Sequence, residues 1–505
     1  MAMNLARNLE NTAGWFPEQV AVIEGDRRWS YAELAARAAG AAAGLAGLGV
    51  GPGDRVALCA PNSAAWLAVY FGALKLGATV VTLSPLLTPP ELRRLLAHSR
   101  PRAVFTEARR REHLAGLAEQ DPPPKLICPG GDCQPDDLCR PASGPQPARE
   151  RERHEVAAIL YTGGTTGEPK GVMLTHENLV TAAHQVAHCE RSTVEDRALC
   201  FLPFNHVFGQ VHIMNATILS GGGLVLLPGF ELAGVLAAIA EHRVTKLYAV
   251  PTIYVRLAQV ADIAAKLGPV RYCFSAAASM AGELVRRWKD LTGLDIFEAY
   301  GMTESASLVT YNHYHHHRLG SVGTPVGTTE VSIRDERGRV LPSGSRGEIC
   351  IRGRNIMAGY LDNPAATRAA FHGDWFRSGD VGYLDPDGYL FIVDRIKDLI
   401  ITGGENVYPR EVEEVLCRRP EVAECAVIGL PDPEYGERVV AYIVPRPGSQ
   451  IDPVHLRSFL KEHLSPFKVP KQLVSVPQLP TSPAGKILKR RLRQEVLAQD
   501  EARRR

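Results

Sequence analysis

The chain has 505 residues, enough for more than one domain, and 45% of them are hydrophobic, as is ordinary for a globular protein. Its formal net charge of +2 argues against a nucleic-acid-binding function, which calls for a marked basic excess. No apolar run reaches the roughly 18 residues of a transmembrane helix, and ten scattered cysteines with no secretory signal before them predict a reducing, cytoplasmic location without a membrane span.

The sequence up to about residue 300 alternates between helical and strand patterns. Residues 31–48 are rich in good helix formers, Gly49 follows them, and the apolar residues 55–59 then form a predicted strand. The same order repeats, with predicted helices over residues 64–75, 231–242 and 281–292 and predicted strands over residues 79–83, 103–106, 156–160, 246–250 and 296–298. Such alternation predicts an α/β fold in which helices layer on mainly parallel sheets.

The pattern changes twice in the remaining part of the chain. From about residue 320, short strands and tight turns such as residues 385–388 predict a small β-rich subdomain. From about residue 394, the chain has a small α+β pattern of its own, and about 110 residues suit an independent domain. We therefore expect a large N-terminal domain of residues 1–394 and a small C-terminal domain of residues 395–505.

Residues 161–171 hold four glycines, three threonines and one lysine, Lys170. Glycines let backbone N–H groups approach phosphate oxygens, hydroxyls add donors, and the lysine supplies positive charge. The order differs from the Walker motif, which places Gly-Lys-Ser/Thr at the start of a helix, because Lys170 stands between Pro169 and Gly171. The pattern predicts a loop that binds a triphosphate without opening a helix, and a flexible linker is the alternative.

Five further motifs stand in a fixed order along the chain. They occupy residues 201–209, 298–304, 375–380, 394–409 and 480–486. Together with the loop at residues 161–171, they resemble the adenylate-forming family, which contains acyl-CoA synthetases, adenylation domains of peptide synthetases and luciferases. The resemblance extends from about residue 15 to residue 493 and is greatest to the acyl-CoA synthetases. It implies that the small C-terminal domain is mobile.

The resemblance also implies a two-step reaction. A carboxylate attacks the α-phosphate of ATP to give an acyl-adenylate and pyrophosphate, and a thiol then displaces AMP. Two anions meet in the first step, so the site must supply positive charge where they meet. Lys486 matches the catalytic lysine of the family, and Lys397 matches the hinge about which the C-terminal domain rotates between the two steps.

Catalytic and metal-binding roles follow from the same resemblance. Thr303, Glu304 and His206 would act beside Lys486, with His206 lining the channel for the acid. Glu304 and Thr162 would hold Mg²⁺, a hard cation that binds proteins through one or two carboxylates while it contacts substrate phosphates.

The resemblance assigns the nucleotide-binding residues as well. Tyr300 would stack on adenine beside the small side chains of residues 276–278, Asp380 would accept both ribose hydroxyls, and Arg395 would add a donor. The full set expected to bind ATP and the thiol is Thr162, Gly163, Gly164, Thr165, Thr166, Gly167, Lys170, Ala276, Ala277, Ala278, Glu298, Ala299, Tyr300, Gly301, Met302, Asp380, Ile392, Arg395, Lys397, Gly403, Gly404 and Glu405.

The segment around Gly403, Gly404 and Glu405 resembles the form found in CoA ligases, and paired glycines leave a narrow path for a pantetheine arm. We therefore expect a monomeric or homodimeric enzyme that uses ATP and Mg²⁺ to activate a small carboxylic acid and transfers it to coenzyme A. A stand-alone enzyme that loads the phosphopantetheine of an acyl carrier protein is the alternative. A luciferase-like oxygenase and a catalytically dead nucleotide-binding scaffold are further alternatives.

The acid is expected to be a medium-length aliphatic or an aromatic monocarboxylate. The side chains expected around it are apolar or amides and include no pair of arginines, which disfavours a dicarboxylate. They are Asn205, His206, Gln210, Val211, Asn215, Tyr248, Val250, Gly301 and Val309.

Overall fold

A computed structural model of the protein describes residues 3–114, 123–142, 144, 146–162, 169–276, 280, 282–481 and 487–504. The helices in these residues are α1 (Ala6–Trp15), α2 (Tyr31–Gly47), α3 (Ala64–Leu76), α4 (Pro89–Ser99), α5 (Pro135–Leu138), α6 (His176–Cys189), α7 (Ala216–Ser220), α8 (Leu232–Glu241), α9 (Pro251–Leu257), α10 (Ile263–Lys266), α11 (Gly282–Thr292), α12 (Pro364–Ala369), α13 (Pro409–Leu416), α14 (Pro453–His463) and α15 (Lys489–Arg504). Within these residues, none of the helices combines the length and the apolar character needed to cross a membrane.

The strands run through the whole described chain. They are β1 (Val20–Glu24), β2 (Arg27–Ser30), β3 (Arg55–Cys59), β4 (Thr79–Thr82), β5 (Ala103–Thr106), β6 (Lys125–Ile127), β7 (Val156–Thr162), β8 (Lys170–Thr175), β9 (Arg197–Cys200), β10 (Gly223–Leu226), β11 (Lys246–Ala249), β12 (Tyr272–Ser275), β13 (Ile296–Tyr300), β14 (Thr310–Tyr311), β15 (Thr324–Pro325), β16 (Glu330–Arg334), β17 (Gly347–Arg352), β18 (Gly359–Tyr360), β19 (Phe371–His372), β20 (Trp375–Leu384), β21 (Leu390–Arg395), β22 (Ile400–Thr402), β23 (Glu405–Val407), β24 (Val422–Asp432), β25 (Gly436–Pro445) and β26 (Gln472–Ser475).

Two large sheets form the framework of the N-terminal part. One has the strand order β18-β8-β7-β4-β3-β5-β6, and the other has the order β15-β14-β13-β12-β11-β9-β10-β1-β2. The central strands of both sheets pair in parallel, whereas β8, β14, β15 and β2 add antiparallel edges. This confirms the α/β class with parallel-rich sheets that the alternating pattern predicted.

Helices α2 and α3 pack closely and α3 contacts both large sheets. α2 begins after a capping box, in which the Ser30 side chain accepts from the Glu33 N–H and the Glu33 carboxylate accepts from the Ser30 N–H. Every residue of α3 except Ala65 is buried. A Cβ on Gly72 would lie 2.7 Å from the Cβ of Ala41, so glycine is needed where α2 and α3 touch.

Four adjacent parallel strands of one sheet lead into the segments that we expect to bind substrate. β9, β11, β12 and β13 are neighbours in the second sheet and run in the same direction. Their carboxyl ends therefore meet at one edge, which is where open α/β sheets bind ligands. Residues 201–209 follow β9, Ala276 follows β12, and residues 301–304 follow β13.

The remaining two sheets are smaller. β16, β17, β19, β20 and β21 form an antiparallel sheet, as the predicted β-rich subdomain requires. β22 to β26 form the C-terminal sheet, which has a hydrophobic core around Val412 and Leu460 and a second core around Ala426 and Leu492. This α+β arrangement confirms the small C-terminal domain, and the boundary between residues 394 and 395 stays a prediction.

Candidate active site

Asp380 makes contacts with two side chains that come from distant parts of the chain. The Tyr300 hydroxyl donates to Asp380 Oδ2 at 2.6 Å, and Arg395 Nε lies 3.1 Å from Asp380 Oδ1. Asp380 and Tyr300 are buried, and Arg395 is partly exposed. Burial and the negative charge of Asp380 raise the pKa of Tyr300 well above its ordinary value, so the phenol keeps its proton. An ionised carboxylate has about four acceptor sites, which leaves capacity for two more hydroxyl donors.

Glu304 stands in a turn whose backbone is tightly constrained. A Cβ on Gly301 would lie 1.4 Å from the carbonyl oxygen of Ser307, so only glycine allows this approach. Ala306 and Ser307 have φ angles of 51° and 111°, which side-chain-bearing residues rarely adopt. The amide of Asn355 donates to two carbonyls of the turn. Backbone strain of this kind persists where surrounding contacts hold it, and it concentrates at functional sites.

Tyr360 connects Glu304 to Lys170, the lysine of the predicted phosphate loop. The Tyr360 hydroxyl donates to Glu304 Oε1 at 3.0 Å, and Lys170 Nζ lies 4.8 Å from the centre of the Tyr360 ring. Tyr360 reaches this place because β18 pairs with β8. Lys170 is the first residue of β8, so the chain enters a strand here, in agreement with the expectation that no helix opens.

Of the two carboxyl groups on this edge, Glu298 is buried and Glu304 is half-buried. Burial raises the pKa of Glu304, while hydrogen bonds from its own backbone and from Tyr360 oppose that effect. Burial also raises the pKa of Glu298 to about 7, against the opposing charge of Arg410. A cation bound at Glu304 would favour the ionised form of its carboxylate.

The residues expected to hold a metal are few. Among the described residues, no three or more His, Cys, Asp or Glu side chains are grouped as a metal site. Thr162 stands opposite Lys170 in the pairing of β7 with β8, and the Lys170–Tyr360 contact connects this place to Glu304. One carboxylate and one hydroxyl are ligand types that suit Mg²⁺, which keeps several waters and is otherwise bound by substrate phosphates.

His206 lies between β9 and a π-helical segment, Phe208–Asn215. Its Nδ1 accepts from the Phe208 N–H at 3.2 Å, and its carbonyl accepts from the Gln210 N–H at 2.9 Å. The acceptor role of Nδ1 assigns the proton of the neutral ring to Nε2. π-Helical turns are rare and concentrate at functional sites.

Two of the amides expected to face the acid have structural partners. The Gln210 side-chain amide donates to the Phe204 carbonyl at 2.9 Å, and the Asn215 amide donates to the Tyr70 hydroxyl at 3.2 Å. Both residues are fully buried. These N–H groups therefore hold the segment that follows β9 against its neighbours.

The residues expected at the thiol lie in the C-terminal domain. Gly403 and Gly404 form the two-residue turn between β22 and β23, with φ angles of 59° and 82°, which suits a type I′ hairpin. The Gly403 N–H donates to the Tyr435 carbonyl, so the hairpin is part of the C-terminal sheet. Glu405 is exposed beside the turn, and Lys397 is exposed in the 3₁₀ turn before β22.

The structure brings the predicted residues into two contact groups: Tyr300 and Arg395 meet at Asp380, and Lys170 and Glu304 are joined through Tyr360. Burial raises the pKa of Glu304, and the charge of Arg395 opposes this effect. Glu298, Ala299, Gly301, Met302 and Thr303 lie on β13 and the turn that follows, and Ile392 lies on β21. The described contacts do not join Gly403, Gly404 or Glu405 to either group. The predicted residues outside the described part are Gly163, Gly164, Thr165, Thr166, Gly167, Ala277, Ala278 and Lys486.

Comparisons with known proteins agree on one family. A family model described as AMP-binding enzyme matches residues 9–361, and one described as AMP-binding enzyme C-terminal domain matches residues 411–486. A feruloyl-CoA synthase from an Amycolatopsis species is 38% identical over 480 residues, covering 94% of this chain and 96% of that protein. ATP-bound MatB from Rhodopseudomonas palustris is 33% identical with a TM-score of 0.92, covering 98% of this chain and 99% of that chain. The anthranilate CoA ligase AuaEII with anthranoyl-AMP is 29% identical with a TM-score of 0.93, covering 98% and 97%.

Proposed function

Because this chain belongs to the family of AMP-binding enzymes, we propose that the residues around Asp380 bind the ATP with which it activates a carboxylic acid. The enzyme is an AMP-forming ligase that joins a carboxylic acid to coenzyme A. The observation that carries the residue roles is the contact of Asp380 with Tyr300 and Arg395, since it gathers an acceptor, an aromatic ring and a cation at one place.

The nucleoside half of ATP is bound by this group. Asp380 accepts the two ribose hydroxyls with the lone pairs that Tyr300 and Arg395 leave available. The Tyr300 ring offers a face for the adenine, and the hydrogen bond from its hydroxyl to Asp380 keeps the ring in place. Arg395 adds positive charge on the side of the phosphates.

Two lysines on different parts of the chain would neutralise the charge of the triphosphate. Lys170, at the end of the glycine-rich loop, holds the β- and γ-phosphates that leave as pyrophosphate. Lys486 bridges the attacking carboxylate and the α-phosphate, where negative charge must be neutralised as they approach. Glu304 and Thr162 would hold Mg²⁺, which when bound neutralises charge on the phosphates.

Tyr360 orients the Glu304 carboxylate and lies against Lys170, which gives a prediction with two variants. Tyr360→Phe keeps the ring beside Lys170 but loses the hydroxyl that donates to Glu304. We expect the affinity of a non-hydrolysable ATP analogue to fall about tenfold in the presence of Mg²⁺ and to change little in its absence. Tyr360→Leu removes the ring as well, so its affinity should fall under both conditions. Isothermal titration calorimetry measures both, and an unchanged affinity of Tyr360→Phe in the presence of Mg²⁺ would show that the hydroxyl has no role of its own.

The second step transfers the acyl group to the thiol. We propose that the C-terminal domain turns about Lys397, withdraws Lys486 and presents the Gly403–Gly404 turn to the pantetheine arm. Glycines at both turn positions leave room for an extended chain beside the backbone.

Coenzyme A carries this arm, and so does an acyl carrier protein. Because we propose coenzyme A as the acceptor, we expect single-turnover transfer from preformed adenylate to be faster to coenzyme A than to a carrier protein. Faster transfer to a carrier protein would reverse the choice of acceptor.

The acid is a medium-length aliphatic or an aromatic monocarboxylate. The side chains expected around it include no pair of arginines, and the buried valines Val211, Val250 and Val309 stand among them.

We expect acid-dependent exchange of labelled pyrophosphate into ATP with acids of this class. Exchange with dicarboxylates or amino acids alone would contradict the assignment, and no exchange with any acid would contradict the proposed function.

A further inference from the structure

Two cysteines of the C-terminal domain face each other and have no place in the reaction described so far. The Sγ atoms of Cys417 and Cys425 lie 3.7 Å apart, and both thiols are free. Cys417 directly follows α13, and Cys425 lies on β24. A disulfide bond is about 2.05 Å long, so the two sulfurs would have to approach by roughly 1.7 Å to form one.

Both cysteines stand where the backbone can yield by this amount. Cys417 is the C-terminal cap of α13, and helix ends fray more readily than helix interiors. The pairing of β24 with β25 shifts in register between Val422 and Glu424, directly before Cys425. A strand irregularity of this kind disrupts the ladder locally. Closing the gap therefore requires movement at a helix end and beside an irregular strand segment.

The surroundings of the two thiols assign the order in which they react with an oxidant. Cys417 is partly exposed and Cys425 is buried, so a small oxidant such as a peroxide meets Cys417 first. The hydrogen bond with Cys417 and burial raise the pKa of Cys425 well above its ordinary value, so this thiol keeps its proton. Oxidation follows exposure and thiolate character. Cys417 is therefore the attacking thiol, and Cys425 is the thiol that closes the bond.

The chemistry of the pair with hydrogen peroxide is balanced in two steps. The thiolate of Cys417 attacks one oxygen, the O–O bond breaks, and hydroxide leaves with the proton that the thiol released, as water. Cys417 is then a sulfenic acid. The sulfur of Cys425 attacks the sulfur of Cys417, the S–O bond breaks, and the departing hydroxide takes the proton of Cys425. Two thiols are thus oxidised to one disulfide while the peroxide is reduced to water.

Glu413 connects this pair of cysteines to the segment of Lys486. It lies one helical turn before Cys417, whose N–H donates to the Glu413 carbonyl at 2.9 Å. The same carbonyl accepts from Cys425 Sγ at 3.7 Å. The Glu413 carboxylate lies 2.7 Å from Lys489 Nζ, and Lys489 stands three residues after Lys486. A disulfide removes the proton that Cys425 donates and moves the end of α13, so it shifts the residue that holds Lys489.

We propose that a peroxide joins Cys417 and Cys425 in a reversible disulfide, and that this bond slows acyl-adenylate formation by moving the helix whose Glu413 holds Lys489. The effect on the first step rests on the proposed function, whereas the bond itself does not. In the reducing location that the sequence predicts, disulfides are transient and act as redox sensors rather than as structural bonds. The pair therefore lowers the consumption of ATP while an oxidant is present.

Mass spectrometry of the full-length enzyme tests the bond without any substrate. Reduced enzyme is treated with hydrogen peroxide, and the remaining thiols are blocked with N-ethylmaleimide. Trypsin cleaves after Arg418, between the two cysteines, so the disulfide should join the peptides of residues 411–418 and 419–438. Dithiothreitol should separate them. Absence of the linked peptides, or their persistence in dithiothreitol, would overturn the proposal.

Rapid-quench measurements of acyl-adenylate formation test the effect of the bond, with an acid that supports pyrophosphate exchange. We expect oxidation to slow this step about tenfold, because a displacement of about 1 Å far from the reacting atoms can cost up to about a hundredfold. Re-reduction should restore the rate. Linked peptides with an unchanged rate would overturn the proposed control of the first step. Failure of every acid would overturn the proposed function, and the peptide mapping would still decide the bond.

Serine variants identify the thiols that respond. Cys417→Ser and Cys425→Ser each remove one sulfur, so neither should form the linked peptides, and peroxide should leave their rates unchanged. Thermal melting identifies a variant that does not fold, and the other variant then decides. A folded Cys417→Ser or Cys425→Ser variant that peroxide slows as much as the unaltered enzyme would overturn the proposed switch.

Cys133→Ser is the matched control. Cys133 is also partly exposed, and its thiol donates to the Gln134 carbonyl at 3.4 Å in the N-terminal part of the chain. This variant should form the linked peptides and lose activity with peroxide as the unaltered enzyme does. A Cys133→Ser variant that resists peroxide would overturn the assignment of the switch to Cys417 and Cys425.

Discussion

Lys486→Ala is expected to lower the rate of acyl-adenylate formation by at least about a hundredfold while transfer of the acyl group from supplied adenylate to coenzyme A continues. In the first step two anions approach each other, and in the proposed function the ammonium group of Lys486 neutralises the charge between them. The second step begins from an uncharged acyl carbon, and in the proposed rotation Lys486 has already left the site. Rapid-quench measurements of each half-reaction, started separately, give the two rates.

The matched control for this prediction is Lys461→Ala in the same domain. Lys461 is exposed on α14, so its loss should leave both half-reactions unchanged. Equal losses of both half-reactions in Lys486→Ala would contradict the rotating-domain scheme, because they would place the lysine at the site in both steps.

Glu304→Gln is expected to reduce adenylate formation by about a hundredfold and to abolish the effect of Mg²⁺ on nucleotide binding. The substitution keeps the shape of the side chain, and its amide oxygen can still accept from Tyr360, so the turn should stay folded. The negative charge that would hold the cation is lost. Calorimetric titration with a non-hydrolysable ATP analogue, with and without Mg²⁺, measures this directly.

Glu336→Gln is the corresponding control, because Glu336 is an exposed residue in a turn of the small β-rich subdomain. It should bind the analogue as the unaltered enzyme does, with and without Mg²⁺. If Glu304→Gln retained the full difference between the two conditions, Glu304 would not be the residue that holds the cation.

Local patterns predicted the elements of this fold closely. The helix predicted over residues 64–75 is Ala64–Leu76, and the strand predicted over residues 55–59 is Arg55–Cys59. Capping and turn residues mark such boundaries, since Ser30 caps α2 and Gly77 ends α3 with φ 85°. These signals act over a few residues, so a single sequence carries them in full.

Other features left no local signal. The π-helical segment Phe208–Asn215 has no distinctive composition, and the partners of its buried residues Gln210 and His212 lie outside it in sequence. Tyr360 follows a glycine in an ordinary stretch of sequence, and only the pairing of β18 with β8 brings it to Glu304.

The sequence by itself determined the family, because the glycine-rich loop and the later motifs stand in the order that this family shares, and it determined the chemical types at the site, because a reaction of two anions requires positive charge and hydrogen-bond donors. Only the tertiary structure decided which of these side chains meet and what else lies against them. Asp380 contacts Tyr300 across 80 residues of sequence, and Glu190 contacts Lys246 across 56. Such pairs form because the pairing and packing of strands and helices, rather than sequence distance, set which side chains are neighbours.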